Sequence, residues 1–120
     1  YLQLFREMSD RVAELQCEDG FWRTSMLDIE TYPDPETSST GLFVYALAYG
    51  INQGYLPKDK FLPVVTKGWE ALVASVDTEG KVCWVQPLGQ APKRIEKRMT
   101  HVYGTGGFLM AACEMYKLTE

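Results

Sequence analysis

Two stretches hold most of the side chains with which this chain could do chemistry. The first carries Trp22, Arg23, Glu36, Thr37 and Ser38, and the second carries Trp84, Gln86, His101 and Tyr103. The planar fork of an arginine can hold a carboxylate through two parallel hydrogen bonds, a geometry lysine cannot reproduce. Trp22 and Trp84 offer flat faces for stacking on a ring, or large apolar bodies for packing a core. His101, the single histidine of the chain, is either a proton carrier and polar binder or a structural residue beside a helix start. Glu36 is the one carboxylate that falls among these residues, and a lone carboxylate is not an acid/base pair. Cys17, Cys83 and Cys113 stand far apart, with no CxxC or Cys/His ligand spacing. They read as small buried apolar residues, and neither a metal nor another cofactor is expected.

Four helices must position these residues. Leu4, Phe5, Met8, Val12 and Leu15 recur at three/four spacing and predict an amphipathic helix over Leu2–Gln16. A run apolar on every face predicts a buried helix over Gly41–Ile51, with Ser39 or Thr40 as its cap. The stripe Leu62, Val65, Trp69, Leu72, Val73, Val76 predicts an amphipathic helix over Lys60–Val76, capped by Asp59, with Pro63 in the first turn. A second nearly all-apolar run predicts a buried helix over Thr105–Leu118.

Amphipathic, buried, amphipathic, buried is the order a toroid of helical hairpins produces. Each hairpin has an outer helix with one wet face and an inner helix packed on both sides. An internal repeat points the same way. Asp19-Gly20-Phe21-Trp22 follows the first outer helix, and Glu79-Gly80-Lys81-Val82-Cys83-Trp84 follows the second. Thr40-Gly41-Leu42-Phe43-Val44-Tyr45-Ala46 and Thr105-Gly106-Gly107-Phe108-Leu109-Met110-Ala111 both fit Thr-Gly-x-Phe-x-x-Ala. The repeat brings both chemistry-bearing loops, and both inner-helix N-termini, to one end. Free amides and the positive end of the dipole make that end suited to an anion. Plain capping with close-packed glycines explains the same residues without a ligand. Trp22 and Arg23, neighbours in a short strand, are expected on opposite sides, with Trp22 inward and Arg23 facing the mouth. Two hairpins cannot close a ring, so apolar flanks are left for the remainder of the barrel or another protomer to cover.

The composition is that of an ordinary globular chain: 120 residues, 46% hydrophobic and 23% charged, one domain at most. Twelve basic against 16 acidic side chains give a net charge of -4, which argues against nucleic-acid and membrane-surface partners. No apolar run approaches the ~20 residues of a membrane span. Lys93, Arg94, Lys97 and Arg98 read as a solvated loop, or as a rim attracting acidic oligosaccharide. The compartment, cytoplasmic or periplasmic, is left open.

The segments Asp19-Gly20-Phe21-Trp22-Arg23, Pro35-Glu36-Thr37-Ser38-Ser39-Thr40-Gly41, Trp84-Val85-Gln86-Pro87 and Tyr103-Gly104-Thr105-Gly106-Gly107 together resemble the unsaturated rhamnogalacturonyl hydrolases, glycoside hydrolase family 105. Family 88, the unsaturated glucuronyl hydrolases, is related and shares the fold. The resemblance implies an all-α fold, two hairpins of an (α/α)6 barrel with short strands in the connections. Residues 1–120 would then be the C-terminal part of a longer glycosidase domain. It implies removal of a 4,5-unsaturated galacturonyl unit from pectin-derived oligosaccharides. An Asp protonates the C4=C5 bond, water adds at C5, and the hemiketal collapses to release the next sugar. That Asp is expected upstream of Tyr1, so no residue of this chain is assigned a catalytic role and the fragment alone is expected to be inactive. Glu36-Thr37-Ser38 stands where better-known members carry Trp-x-Arg. A non-catalytic helical toroid that binds carbohydrate or protein is the alternative reading.

Overall fold

The computed structural model describes residues 1–89 and 91–120. Apolar residues at helical spacing form α1 (Leu2–Glu14), α2 (Thr37–Asn52), α3 (Lys58–Ala74) and α4 (Val102–Thr119), and two short strands, β1 (Trp22–Arg23) and β2 (Pro35–Glu36), lie between α1 and α2. β1 and β2 pair antiparallel, with Trp22 opposite Glu36 and Arg23 opposite Pro35.

The helix ends differ from the sequence expectation for local reasons. α1 stops at Glu14 as its last turn tightens, the Leu15 amide donating to the Val12 carbonyl (3.1 Å) and the Gln16 amide to the Ala13 carbonyl (3.3 Å), while the Gln16 side chain bonds the carbonyls of Gly20 and Val64 (both 3.0 Å). α2 starts earlier than Gly41 because Glu36, not Ser39 or Thr40, is the cap. Its carboxylate accepts from the amides of Ser38 (3.0 Å) and Ser39 (2.7 Å). Thr40 is already inside the helix, where its hydroxyl donates to the Glu36 carbonyl (2.7 Å) and accepts from the Trp22 amide (3.1 Å). α3 is capped by Pro57 rather than Asp59, and Asp59 sits in the first turn, where the helix dipole favours it. Pro63 accordingly lies beyond the first turn. α4 begins after His101, whose extended backbone makes no side-chain cap, so Thr105 and Gly106 are interior positions.

The core is a single cluster in which Trp22, Val44, Leu47, Phe61, Val65 and Leu72 are almost fully enclosed. α2 lies at its centre, with α4 along one side and α3 along another. Phe5 and Val12 bring α1 onto the same cluster. Lys60 to Asp10 (2.7 Å) links the two outer helices, α3 and α1, and Arg6 to the Tyr55 carbonyl (2.9 Å) ties α1 to the turn between α2 and α3. The two inner helices meet at glycines: a Cβ on Gly41 would stand 2.8 Å from the Gly107 backbone. Asn52 at the end of α2 donates to the Glu114 carbonyl (3.0 Å) and carboxylate (2.8 Å) on α4.

Both acidic-glycine turns have their glycine at positive φ, 88° at Gly20 and 80° at Gly80. The repeat is looser beyond the second turn. In place of a strand at Trp84 there is only an isolated bridge, Val76 to Val82, and Trp84 itself takes a left-handed φ of 60°.

The expectation that α4 is buried all round is corrected. Gly104, Gly107, Ala111 and Glu114 form one buried stripe toward α2, whereas Val102, Leu109, Met110 and Tyr116 are exposed. No described element packs on that second face. Cys113 lies on it and is exposed, Cys17 is half-buried, and only Cys83 is the buried thiol the sequence suggested for all three. α2 likewise leaves Leu42 half exposed.

Candidate functional site

The first turns of α2 and α4 reach one end of the helix pair, and a cavity of about 420 Å³ opens there. Its polar lining is Thr24, Ser38, Gln86 and Tyr103, and Pro87, Leu88 and Pro92 supply apolar wall. The volume is in the range of small-molecule sites. Among the described residues, no charged side chain lines it.

Glu36 lies behind this wall, fully enclosed. One carboxylate oxygen accepts from the Ser38 amide (3.0 Å), the Ser38 hydroxyl (2.8 Å) and the Gln86 amide (3.2 Å). The other accepts from the amide (2.7 Å) and hydroxyl (2.6 Å) of Ser39. A buried carboxylate survives only when its lone pairs are filled, and here the first turn of α2 and the Gln86 loop fill them. Thr37 completes the tie: its amide donates to the Trp84 carbonyl (2.9 Å) and its hydroxyl to the Cys83 carbonyl (2.7 Å). The Tyr103 hydroxyl donates to the Gln86 carbonyl. Burial, with the charge of Glu36 nearby, pushes the Tyr103 phenol above its ordinary value, so it remains a protonated donor at neutral pH.

Of the residues singled out from sequence, Ser38, Gln86 and Tyr103 are thus brought together around the cavity. Glu36 and Thr37 hold it together from behind, buried too deeply to touch a ligand. Trp22 is fully enclosed and its indole N–H donates to the Val12 carbonyl (2.8 Å), so it packs the core and is no stacking platform. Arg23 does sit opposite in character, half-buried at the surface, but its fork is occupied. Both terminal nitrogens bond Asp19 (3.1 and 2.8 Å), and Arg23 is not among the residues lining the cavity. The anion expected at the α2 N-terminus is likewise already present, as the Glu36 carboxylate. Trp84 is half-buried outside the cavity lining, held by its own amide to the Lys97 carbonyl (3.1 Å) and by Thr37. His101 stacks on Tyr103 with ring centroids 4.4 Å apart, and its Nδ1 is enclosed without a partner among the described residues.

Sequence reasoning missed Thr24, Asp19 and Asp34. Thr24 adjoins the Trp22–Arg23 pair, and that adjacency was the available signal. Asp34 accepts from Arg94 (2.6 and 3.0 Å) and from the Ile95 amide (2.9 Å), fastening the long second loop beside the cavity. Nothing in the sequence links residues 60 apart without the fold. Arg94, read as a solvated or rim charge, is spent on this pair. Among the described residues no group of three His, Cys, Asp or Glu is arranged to hold a metal, and no helix is long and apolar enough to cross a membrane.

Comparison with known proteins places this geometry. An unsaturated 3S-rhamnoglycuronyl hydrolase of Formosa agariphila is 44% identical over 120 residues, all of this chain and 32% of that protein. A solved family 88 glycosyl hydrolase of Bacteroides vulgatus superposes with a TM-score of 0.85 at 37% identity, over 90% of this chain and 32% of its own. Another solved protein, named a polysaccharide lyase, superposes with a TM-score of 0.93 at 38% identity, over 99% of this chain and 35% of its own. The chain therefore spans about a third of the length of these relatives, and its helices are two hairpins of their six-hairpin helical barrel. The model of Glycosyl Hydrolase Family 88, the family related to the one its motifs most resemble, matches residues 1–119, and the chain belongs to that family.

Proposed function

We propose that this chain is the part of an unsaturated uronyl hydrolase that forms one wall of its substrate mouth, the C-terminal part of the barrel. The observation that carries the reading is the cavity itself. The two loops that the repeat predicts at one end converge there, in a chain of family 88, around hydrogen-bonding side chains. The substrate is an oligosaccharide ending in an unsaturated uronate. Two relatives are named unsaturated 3S-rhamnoglycuronyl hydrolases, whereas the sequence resemblance specified a galacturonyl unit from pectin. The proposal is therefore kept at the unsaturated uronyl unit.

In this reaction a carboxylic acid gives its proton to C4 of the C4=C5 bond, water adds its oxygen at C5, and the hemiketal opens to release the next sugar as an alcohol. A single carboxyl group suffices for both proton transfers. Glu36 is not assigned that role, because it is fully enclosed and both its oxygens already accept hydrogen bonds. The acid is assigned to the remainder of the protein, and the residues described here bind and orient.

The test is to incubate the full-length protein with an unsaturated uronyl disaccharide and follow the enoyl ultraviolet absorbance. Hydration removes the chromophore, so the absorbance falls. The relative named a polysaccharide lyase favours a second reading, β-elimination, which creates the chromophore from intact polysaccharide and makes the absorbance rise. An absorbance unchanged on both substrates sinks both readings and leaves a non-catalytic carbohydrate binder.

A further inference from the structure

Taking the cavity as part of the carbohydrate mouth proposed above, we infer that Asp34 is a positioning residue for substrate. It clasps Arg94 and Ile95, and through them holds the Ala91–Pro92 edge of the cavity in place without touching a ligand itself.

Asp34 and Glu36 flank Pro35, and each takes hold of the long loop that follows Trp84. Glu36 accepts from the Gln86 amide (3.2 Å). Asp34 accepts from Nε (2.6 Å) and Nη2 (3.0 Å) of Arg94 and from the Ile95 amide (2.9 Å). The cavity-lining residues Pro87, Leu88, Ala91 and Pro92 fall between these two attachments. Glu36 is fully enclosed, whereas the Asp34 and Arg94 side chains keep 16% and 67% of their surface. The first attachment is therefore sealed and the second is open to solvent. Beyond the clasp the chain is committed again. Ile95 is buried, and the Lys97 and Met99 carbonyls accept from the Trp84 and Val85 amides (3.1 and 3.0 Å).

The arginine fork takes both oxygens of one carboxylate, so it fixes direction as well as distance. At neutral pH that carboxyl is ionised, since the Arg94 bond holds it below its ordinary value. Only Lys93 separates Arg94 from Pro92. The ring of Pro92 fixes its own φ and keeps Ala91 out of helical conformations. A shift at the clasp is thus carried to the cavity edge rather than absorbed on the way. A group that bears only on the edge changes how tightly substrate is held and leaves the chemical step alone.

The test is steady-state hydration of an unsaturated uronyl disaccharide by the full-length protein, beside calorimetric binding of the saturated disaccharide, which cannot be hydrated. Asp34→Ala and Arg94→Ala are each expected to raise KM about fivefold at unchanged kcat, and to weaken binding by the same factor. That is less than a buried charge-assisted bond is worth, because Arg94 is largely exposed. The double variant should match Asp34→Ala, since the same clasp is removed either way. Lys60→Ala breaks an ion pair of 2.7 Å between the outer helices and should leave KM as it is. A merely structural role gives a different result: less folded protein lowers the apparent kcat and does not move KM. Arg94 is at the surface, so Arg94→Ala decides the matter if Asp34→Ala fails to fold. Unchanged KM and affinity in Arg94→Ala, a fall in kcat alone, additive losses in the double variant, or a parent that binds no saturated disaccharide would each overturn the inference. Absent turnover by a parent that does bind sinks the hydrolase reading alone, and the binding measurement still decides the clasp.

Discussion

Asp34 and Glu36, two residues apart in β2 and its approach, do different work with the same functional group. Glu36 is enclosed and filled by five donors from the first turn of α2 and the Gln86 loop, while Asp34 stays near the surface and fastens one loop through one arginine. The Arg94 hydrogen bond holds the Asp34 carboxyl below its ordinary value of 3.8, against the opposing effect of burial, and the Ile95 amide adds to it. The unfolded chain then takes up the proton at a higher pH than the folded one. The stabilisation is complete above about pH 3.8 and is lost as the pH falls through the depressed folded value. Asp34→Asn should therefore lower the melting temperature at neutral pH, and the gap to the parent should close below that window. A gap that persists undiminished in acid would mean the pair contributes through packing rather than charge.

At the scale of elements, the contact between α2 and α4 decides whether the two halves of the site meet. Small residues let the helices approach, and the Asn52–Glu114 bonds fix their relative height. Glu114 is nearly buried, held below its ordinary value of 4.5 first by Lys117 and then by Asn52 against the cost of burial. Asn52→Leu removes a charge-assisted hydrogen bond and leaves a buried carboxylate oxygen unpaired. The expected cost is about 2 kcal/mol, read in urea unfolding as a lower midpoint with an unchanged slope. The Asn52 side chain is at the opposite end of α2 from Ser38, so carbohydrate binding by the folded full-length variant should survive. The repeat made both helices legible, because an all-apolar run starting with Thr-Gly can only be an inner helix. Their starts were not legible. Glu36 caps α2 through a carboxylate poised by β-pairing with Trp22, and no local preference announces that.

For the whole molecule, the two hairpins are an open segment of a ring. Gly41 is filled by Gly107 of the neighbouring inner helix, but Gly106, its equivalent in the repeat, has nothing within 4 Å of a Cβ. That empty place is on the side where α4 exposes apolar residues. Gly41→Ala should cost about 1–3 kcal/mol, since the clash is with backbone and cannot be relieved by a rotamer. Gly106→Ala should stabilise the 120-residue chain by about 0.5–1 kcal/mol through helix propensity, and destabilise the full-length protein, where a further hairpin packs there. Thermal melts of both variants in both lengths separate these outcomes, and a stabilising Gly106→Ala in the full-length protein would put the next hairpin elsewhere. By itself the sequence determined what depends on neighbours along the chain: helix periodicity, the glycine turns, the order of outer and inner helices, and the end at which Ser38, Gln86 and Tyr103 gather. Only the tertiary structure decided which polar groups satisfy one another. Glu36, Arg23 and the α2 amides each have several possible partners in the sequence, and burial leaves each of them with one set. Those pairings, made across 4 residues for Arg23 and 50 for Glu36, put a carboxylate of the chain itself where an anion was expected at the start of α2.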